Sequence, residues 1–308
     1  MKYGIYKLQF NTGLHMGLGN LETHSLKIFA DVLYSAVINE SALTGKEFLQ
    51  KMLGHFEKDI YLTDGFPYMG EEYFLPKPFL QFESNRGDSV EKKLYKKIEY
   101  IPLSMWEDYV NGKADPEKIL KISKDIGDEQ TDPKIKRDLE GDHKIFQVKQ
   151  FRFGDGCGMY FMAVFESEEA KRDLEEVLEA ISYSGIGGKR SQGLGKFDLA
   201  IEELPPQLLG RVGRDRGEML LTTSMAREDE LEQALINARY SLIKRGGFIF
   251  SADEEGRRAQ TFKKRPMNFF NSGSIFENRF TGDIYRVDTD FVHPVYRYAK
   301  PLWLEVKR

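Results

Sequence analysis

The residues best suited to chemistry form a basic, glycine-rich segment, residues 184–197, with the sequence SGIGGKRSQGLGKF. Glycine permits positive φ angles and close backbone approach, so successive N–H groups can converge on an anion. Lys and Arg add charge, and Arg matches a phosphate in bidentate geometry. We therefore predict a loop that holds a nucleic-acid backbone, with RNA favoured. The predicted contacts are Gly185, Gly187, Gly188, Lys189, Arg190, Ser191, Gln192, Gly193 and Gly195.

Two familiar nucleotide-binding motifs fail on this segment. A Walker A loop needs glycine where the chain has Tyr183, and Ser or Thr where it has Arg190. A dinucleotide fingerprint starting at Gly185 would need glycine, again at Arg190. The segment also follows a predicted helix and precedes a strand, which reverses the order of both motifs. A connector whose glycines only permit tight packing remains the alternative.

The turn after the first strand contributes a second group of candidates. His15 there is predicted to contact RNA, with a structural hydrogen bond and a general base for RNA cleavage as alternatives. The predicted RNA contacts in this turn are His15, Gly17, His24 and Ser25.

A third group lies near the carboxyl end, where a basic triplet precedes the sequence PMNFFNSGS. The triplet, Lys263, Lys264 and Arg265, is predicted to bind phosphate. The rings of Phe269 and Phe270 suit either base stacking or a core. A small backbone nest or a plain turn is expected at Asn271, Gly273 and Ser274.

The remaining candidates are weak, and we expect neither a metal nor a cofactor. Asp288 and Asp290 would share a strand face but lack a third ligand, so a solvated face is favoured. Cys157 has no evident base beside it. No GGDD segment occurs, which argues against a cyclase.

Composition restricts the class of protein. The 308 residues are 41% hydrophobic and 31% charged, which suits a globular fold. A net charge of −4 argues against indiscriminate nucleic-acid binding, yet residues 239–265 hold eight basic residues against three acids, a local excess of five. The single cysteine excludes internal disulfides, and neither a signal peptide nor an apolar run long enough for a membrane span is recognisable. A soluble, cytoplasmic protein is expected.

The hydrophobic pattern predicts the elements that position these groups. In the first part, the order strand, helix, interrupted hairpin, helix, strand is that of a βαββαβ ferredoxin-like domain. Residues 110–145 contain no aromatic residue and are predicted to be exposed. The predicted strands are 3–10, 146–153, 159–165 and 196–202; the helices are 23–38, capped by Thr23 or Ser25, 41–56 and 168–183.

Pro205 and Pro206 mark a boundary, after which the pattern is a weaker copy of the first. The predicted elements are strands at 218–224, 247–251, 260–265, 284–291 and 302–306, and a helix at 228–243 with Leu231, Leu235, Ala238 and Leu242 facing inward.

Several segments together resemble the RAMP (repeat-associated mysterious protein) superfamily of CRISPR proteins. GIGGKRSQGLGKF resembles its signature glycine-rich loop. KLQFNTGLHMGLGNLETHS, MNFFNSGSIFE and HPVYRYAKPLWLEV resemble segments of the subunit that holds the CRISPR RNA (crRNA) 5′ handle in the type III-A effector, the Csm complex.

That resemblance implies an α+β fold of two tandem ferredoxin-like (RRM-like) domains, residues 1–204 with a charged insertion at about 84–145, and a degenerate second domain, 207–308. It also implies a non-catalytic subunit that binds the crRNA 5′ handle and contacts the large polymerase/cyclase subunit and a backbone RAMP subunit. The insertion would supply a thumb that displaces a base where handle and spacer meet. The alternatives are a metal-independent RAMP endoribonuclease with His15 as base, and a small-molecule enzyme that binds a nucleotide.

Overall fold

A computed structural model describes residues 2–17, 25–80, 89–137, 143–250, 262–288, 291 and 293–306. No helix within these ranges is long and apolar enough to cross a membrane. The helices are α1 (Ala30–Thr44), α2 (Lys46–Lys58), α3 (Ser89–Lys97), α4 (Trp106–Val110), α5 (Pro116–Lys124), α6 (Glu168–Ser184) and α7 (Glu228–Leu235).

The strands up to the proline boundary are β1 (Lys2–Phe10), β2 (Ile60–Leu62), β3 (Phe66–Met69), β4 (Glu72–Pro76), β5 (Tyr100–Pro102), β6 (Gly127–Arg137), β7 (His143–Phe153), β8 (Cys157–Phe165) and β9 (Phe197–Glu202). Those beyond it are β10 (Val212–Gly213), β11 (Met219–Leu220), β12 (Leu242–Arg245), β13 (Met267–Phe270), β14 (Ile284–Arg286), β15 (Tyr296–Tyr298) and β16 (Trp303–Leu304).

The main sheet is antiparallel, with strand order β5-β4-β3-β8-β1-β9, and β2 also pairs with β8. All nine residues of β8 are buried, because both faces of the sheet are covered. Alternate side chains of β1 divide between the two layers: Tyr6 and Leu8 pack with α1, α2 and α6, whereas Ile5 belongs to the opposite layer. The α+β expectation is therefore confirmed.

The first predicted helix begins later than its pattern suggested. It starts at Ala30, whose N–H donates to the Asp64 carboxylate at 2.9 Å. Ser25 does not cap it and instead donates its backbone N–H to the Met16 carbonyl. Thr23 lies outside the described residues. The cap comes from a residue 34 positions away, which local sequence cannot reveal.

The expectation of an exposed segment at 110–145 is wrong in its first part. Ile119 and Ile126 are buried in a cluster with Trp106 and Tyr109 at the β5 edge of the sheet. The second part is a long hairpin in which β6 and β7 pair from Gly127↔Phe153 to Arg137↔His143. The strand predicted at 146–153 thus pairs with β6 rather than with β8.

The second half has shorter elements than predicted. Helix α7 ends at Leu235, and residues 242–245 form β12 against β13. The predicted inward face is wrong for Leu231, Leu235 and Leu242, which are exposed, while Ala234 is buried instead. The segments predicted as strands at 247–251 and 260–265 meet, among the described residues, in a single bridge between Phe248 and Lys263.

Buried polar contacts join the two halves. The Asp64 carboxylate accepts from the Thr223 backbone N–H at 3.0 Å and from its hydroxyl at 2.6 Å. Lys27 Nζ donates to Asn271 Oδ1 and Ser272 Oγ, each at 2.7 Å. We call these contacts, with the approach of Gly273 to Lys77, the joint. A buried charge is stable only where it is paired and hydrogen-bonded. Since the partners of these charges lie in the other half, the joint fixes the second half relative to the helix layer.

Candidate nucleic-acid interface

The glycine-rich segment leaves α6 through a C-cap at Gly185 and enters β9. The prediction that its glycine N–H groups converge on an open anion site is wrong. The N–H groups of Gly185, Gly188, Gly193 and Gly195 donate to the carbonyls of Ile181, His15, Arg190 and Gly13, respectively. The backbone of the loop is therefore largely engaged in holding its own shape.

Close packing explains why glycine is required at one of these positions. Gly195 has φ +79°, and a Cβ there would stand 2.0 Å from the Ile186 carbonyl oxygen. Ile186 in turn donates its N–H to the Gly195 carbonyl at 2.9 Å. A side chain at Gly195 would separate the two arms of the loop.

His15 lies beneath this loop and is buried, with 4% of its surface exposed. Its Nδ1 is 2.5 Å from the Lys149 carbonyl oxygen on β7, and its own carbonyl accepts from Gly188. These contacts favour the structural hydrogen bond over direct RNA contact or general-base catalysis. Gly17 is exposed in the same turn, Ser25 is half-buried, and His24 lies outside the described residues.

The side chains of the loop that a ligand could reach lie at its tip, residues 189–192. Arg190 to Gln192 form a 3₁₀ turn in which Ser191 and Gln192 are exposed. Lys189 Nζ lies 5.3 Å from the centre of the Phe146 ring, and the Arg190 guanidinium lies 4.6 Å from that of Phe250. Within the described ranges, Lys189 and Arg190 form no ion pair with a carboxylate. The tip therefore presents two cations, one beside the β6–β7 hairpin and one against the second half. Burial lowers the pKa of Arg190, and the charge of Glu40 opposes that shift.

The basic triplet divides between the surface and the interior. Lys263 and Arg265 are exposed, and Lys263 Nζ lies 5.7 Å from the centre of the Phe248 ring. Lys264 faces inward, where burial and, to a smaller extent, nearby Arg297 lower its pKa to about 8, although Asp31 opposes the shift. The first and third residues of the triplet can meet a ligand, whereas Lys264 is positioned for the interior.

A cluster of charges lies close enough to Lys264 to shift its pKa. Asp31 on α1 pairs with Arg245 at 2.8 Å and with Arg297 at 3.4 Å. Despite burial, these guanidinium groups hold the pKa of the Asp31 carboxyl below its usual value. The cluster ties α1 to β12 and β15, which carry the two arginines.

The predicted nest at residues 271–274 is not formed. Ser274 is fully buried and donates its hydroxyl to the Asn271 carbonyl at 2.6 Å. Gly273 donates its N–H to the Leu220 carbonyl. The Asn271 side chain accepts from Lys27, and Ser25 lines the same cavity of about 500 Å³. These residues build the joint, so the anion-cradle expectation fails here.

The structure also describes the weaker candidates. Asp288 is not solvated: its side chain is 3% exposed and paired with Arg286 at 2.8 Å, which lowers its pKa to about 2. Asp290 lies outside the described residues. Burial raises the pKa of the Cys157 thiol. Among the described residues, no three His, Cys, Asp or Glu side chains gather as a metal site would require.

Two exposed rings near the tip were not predicted from the sequence. Phe248 and Phe250 are each 57% exposed, whereas the predicted pair Phe269 and Phe270 is buried. The signal was present as the alternation GFIF between two basic segments, in which Ile249 alone is buried.

Comparison with known proteins places this geometry in a family. The profile of the CRISPR Csm4 C-terminal domain matches residues 214–306. The "CRISPR system Cms protein Csm4" of Mycobacterium tuberculosis (strain CDC 1551 / Oshkosh) is 34% identical over 99% of this chain and 98% of its own length. The protein of the same name from Streptococcus thermophilus is 33% identical over the whole of both chains.

Solved structures share the fold. A chain of the Csm3–Csm4 subcomplex of the type III-A CRISPR-Cas interference complex superposes with a TM-score of 0.67 at 19% identity, covering all of both chains. A chain of the Csm1–Csm4 cassette in complex with pppApA gives 0.58 at 19% identity, covering all of this chain and 99% of the other. With identity above 30% along essentially its full length, the chain belongs to the Csm4 family of type III-A CRISPR proteins.

Proposed function

We propose that this chain holds the 5′ handle of the crRNA in a type III-A effector without cutting it. The observation that carries the proposal is the tip of the glycine-rich loop, where Lys189 and Arg190 form no ion pair with a described carboxylate and lie on a backbone fixed by its own hydrogen bonds. Phosphates are bound well by such preorganised cations, because little conformational freedom is given up on binding.

The proposal includes two ferredoxin-like domains in tandem, residues 1–204 and 207–308. Support comes from the order β9-β1-β8-β3 in the main sheet, together with α1 and α6 on one face. In chain order this is fourth, first, third and second strand, the arrangement of a βαββαβ unit. The second domain would be a degenerate copy, since its strands are two to four residues long.

The β6–β7 hairpin is our candidate for the thumb at the junction of handle and spacer. It leaves the body of the protein beside the site: Leu14 and Phe151 exchange backbone hydrogen bonds, and Phe146 on β7 lies against Lys189. Replacing residues 135–145 with a short Gly-Ser turn should leave folding intact and alter the protection of the junction nucleotides in a nuclease footprint. An unchanged footprint would remove the thumb from the proposal.

Two protein partners belong to the proposal. The chains with the same fold come from assemblies named for Csm3 and for Csm1. We infer that this chain likewise contacts a backbone subunit and the large polymerase/cyclase subunit of its own effector. Co-purification with each partner, expressed pairwise, tests the two contacts separately.

Holding rather than cutting is favoured by the state of His15. A general base must reach the proton it removes, yet this ring is buried against Gly188 and bound to the Lys149 carbonyl. The purified chain should leave labelled repeat RNA uncut in the absence of metal. Site-specific cleavage that disappears in His15→Ala would make the chain an endoribonuclease instead.

The handle-binding claim is tested by salt dependence. Each phosphate that a protein neutralises on single-stranded RNA adds about 0.7 to the slope of log affinity against log salt. Lys189→Ala with Arg190→Ala should therefore weaken handle-RNA binding and flatten the slope by about 1.4, equivalent to two phosphates. The matched control is Lys118→Ala with Lys121→Ala, exposed on α5 at the far edge of the sheet. An unchanged slope in the loop variant would mean that the loop only packs.

A further inference from the structure

We infer that Phe248 and Phe250 form a stacking platform for two bases of single-stranded RNA. This inference rests on the proposed function, since it concerns the same RNA, but it adds a different kind of interaction. The loop tip would hold phosphates by charge, and the two rings would hold bases by their π faces.

Exposure is the first ground for the inference. A phenylalanine ring normally contributes to a core or an interface, because burying it is strongly favourable. Phe248 and Phe250 are each 57% exposed, although a buried aromatic cluster that includes Phe270 and Phe276 lies in the same half. Among the described residues, no other aromatic ring is in stacking or edge contact with either of them.

The local backbone holds both rings outward. Phe248 forms an antiparallel bridge with Lys263, and Ile249 donates its N–H to the Phe262 carbonyl at 2.9 Å. Ile249 is buried and anchors the segment, so the residues on either side of it face the opposite way. Two residue rises separate the rings by about 6.6 Å along the chain. That spacing suits two bases of an opened strand better than bases stacked at about 3.4 Å.

One cationic side chain lies near each ring. Lys263 Nζ lies 5.7 Å from the centre of the Phe248 ring, and the Arg190 guanidinium lies 4.6 Å from that of Phe250. Non-specific single-strand binders combine basic grooves with aromatic side chains in this way. Arg190 also connects the platform to the loop tip, so a phosphate at the tip would bring its neighbouring base to Phe250.

The cations beside the two rings indicate which class of ligand binds there. A hydrophobic protein segment would leave the cations beside the rings without a partner, whereas a nucleotide offers a base to the ring and a phosphate to the cation. The platform is therefore assigned to RNA, and docking of a partner protein becomes an outcome of the test.

The test uses the full chain with handle RNA in which 2-aminopurine replaces single bases in turn. Phe248→Leu with Phe250→Leu keeps apolar surface and removes the π faces. Since one stacked base contributes about five- to a hundred-fold in affinity, binding should weaken by about tenfold or more. The salt slope should stay unchanged, and fluorescence quenching at one or two positions should disappear. Leu209→Ala, which alters an exposed apolar residue outside this surface, should change none of these.

The outcomes separate the two claims. Unchanged affinity and quenching in the Phe variant, while the Lys189/Arg190 variant still weakens binding, would overturn the platform alone. No binding of handle RNA by the unmodified chain would overturn both proposals. If the Phe variant binds RNA normally but no longer co-purifies with a partner subunit, the rings would be reassigned to a protein interface. Phe248→Trp with Phe250→Trp should restore the quenching.

Discussion

Two turns that contain glycine and serine, residues 184–197 and residues 271–274, have different structural roles. The first ends in two half-buried cations, Lys189 and Arg190, on a backbone closed by internal hydrogen bonds. The second lies buried at the joint, where Asn271 meets Lys27 and Ser274 has no exposed surface. The presence of glycine and serine therefore did not distinguish the candidate ligand site from a packing site. Lys189 and Arg190 distinguish the first turn, since residues 271–274 contain no basic residue.

The largest effect is expected at Asp64, the centre of the joint. Asp64→Ala leaves the N–H groups of Ala30 and Thr223 without their buried acceptor and the Lys27 ammonium without its buried counter-charge. We expect a loss of about 4 kcal/mol in the free energy of unfolding, measured by urea denaturation.

The control for Asp64 is Asp198→Ala, an exposed carboxylate on β9. It should change the free energy of unfolding by less than about 0.5 kcal/mol. Equal effects of the two substitutions would contradict the role of the joint.

A slightly smaller effect is expected at Gly273. Its φ is +91°, and a Cβ there would stand 2.3 Å from the Lys77 carbonyl oxygen. Gly273→Ala should cost about 3 kcal/mol of stability, from backbone strain and overpacking together. Gly210→Ala has φ +76° but no atom within 4 Å, so it isolates the strain at about 1 kcal/mol. If the two variants melt at the same temperature, residues 271–274 are not packed as described.

The loop tip should behave in the opposite way. Lys189→Ala with Arg190→Ala removes two half-buried cations that form ring contacts but no ion pair, so the free energy of unfolding should change by about 1 kcal/mol or less. Handle-RNA affinity should fall about tenfold, or about 1.4 kcal/mol. Both quantities come from one preparation by denaturation and by fluorescence anisotropy. A destabilised variant that binds RNA normally would assign the tip to packing.

The smallest effect concerns Asp288, which anchors the strand next to the basic triplet through Arg286 and the Val295 N–H. Its pKa is lowered from 3.8 to about 2, so the carboxylate stabilises the fold above about pH 4 and less as the pH falls towards 2. Asp288→Asn should cost about 1 kcal/mol at pH 7, because Arg286 is exposed and the pair is screened.

The difference in stability between the unmodified chain and Asp288→Asn should shrink on acidification below pH 4. Thermal unfolding of both proteins across this pH range measures it. A difference that stays constant would show that charge does not explain the interaction.

The local hydrophobic pattern was sufficient to predict an element where that element buries the apolar residues of the pattern. Helix α6 and strands β1, β8 and β9 lie within two residues of their predicted bounds, because their apolar residues recur with the period of the element that buries them. The start of α1 could not be found, since its acceptor is Asp64 beyond the next helix. The burial of Ile119 was missed because the aromatic residues that cover it precede residue 110.

For the candidate site, the sequence identified local segments but not their arrangement in space. The loop and Lys263 could be identified from the sequence, because charge and glycine are local features. The sequence could not reveal that Gly188 and Gly195 donate their N–H groups to the turn at residues 13–15, or that Phe250 reaches Arg190 across 60 positions. Those interactions depend on the tertiary arrangement of the two halves.

Cross-linking of the assembled effector tests the central claim most directly. Handle nucleotides are replaced one at a time by 4-thiouridine, irradiated, and the attached peptides are identified by mass spectrometry. We predict cross-links from the handle to residues 187–196 and none to residues 271–274. Handle cross-links that fall on residues 271–274, or that avoid the glycine-rich loop altogether, would contradict the proposed role of the loop.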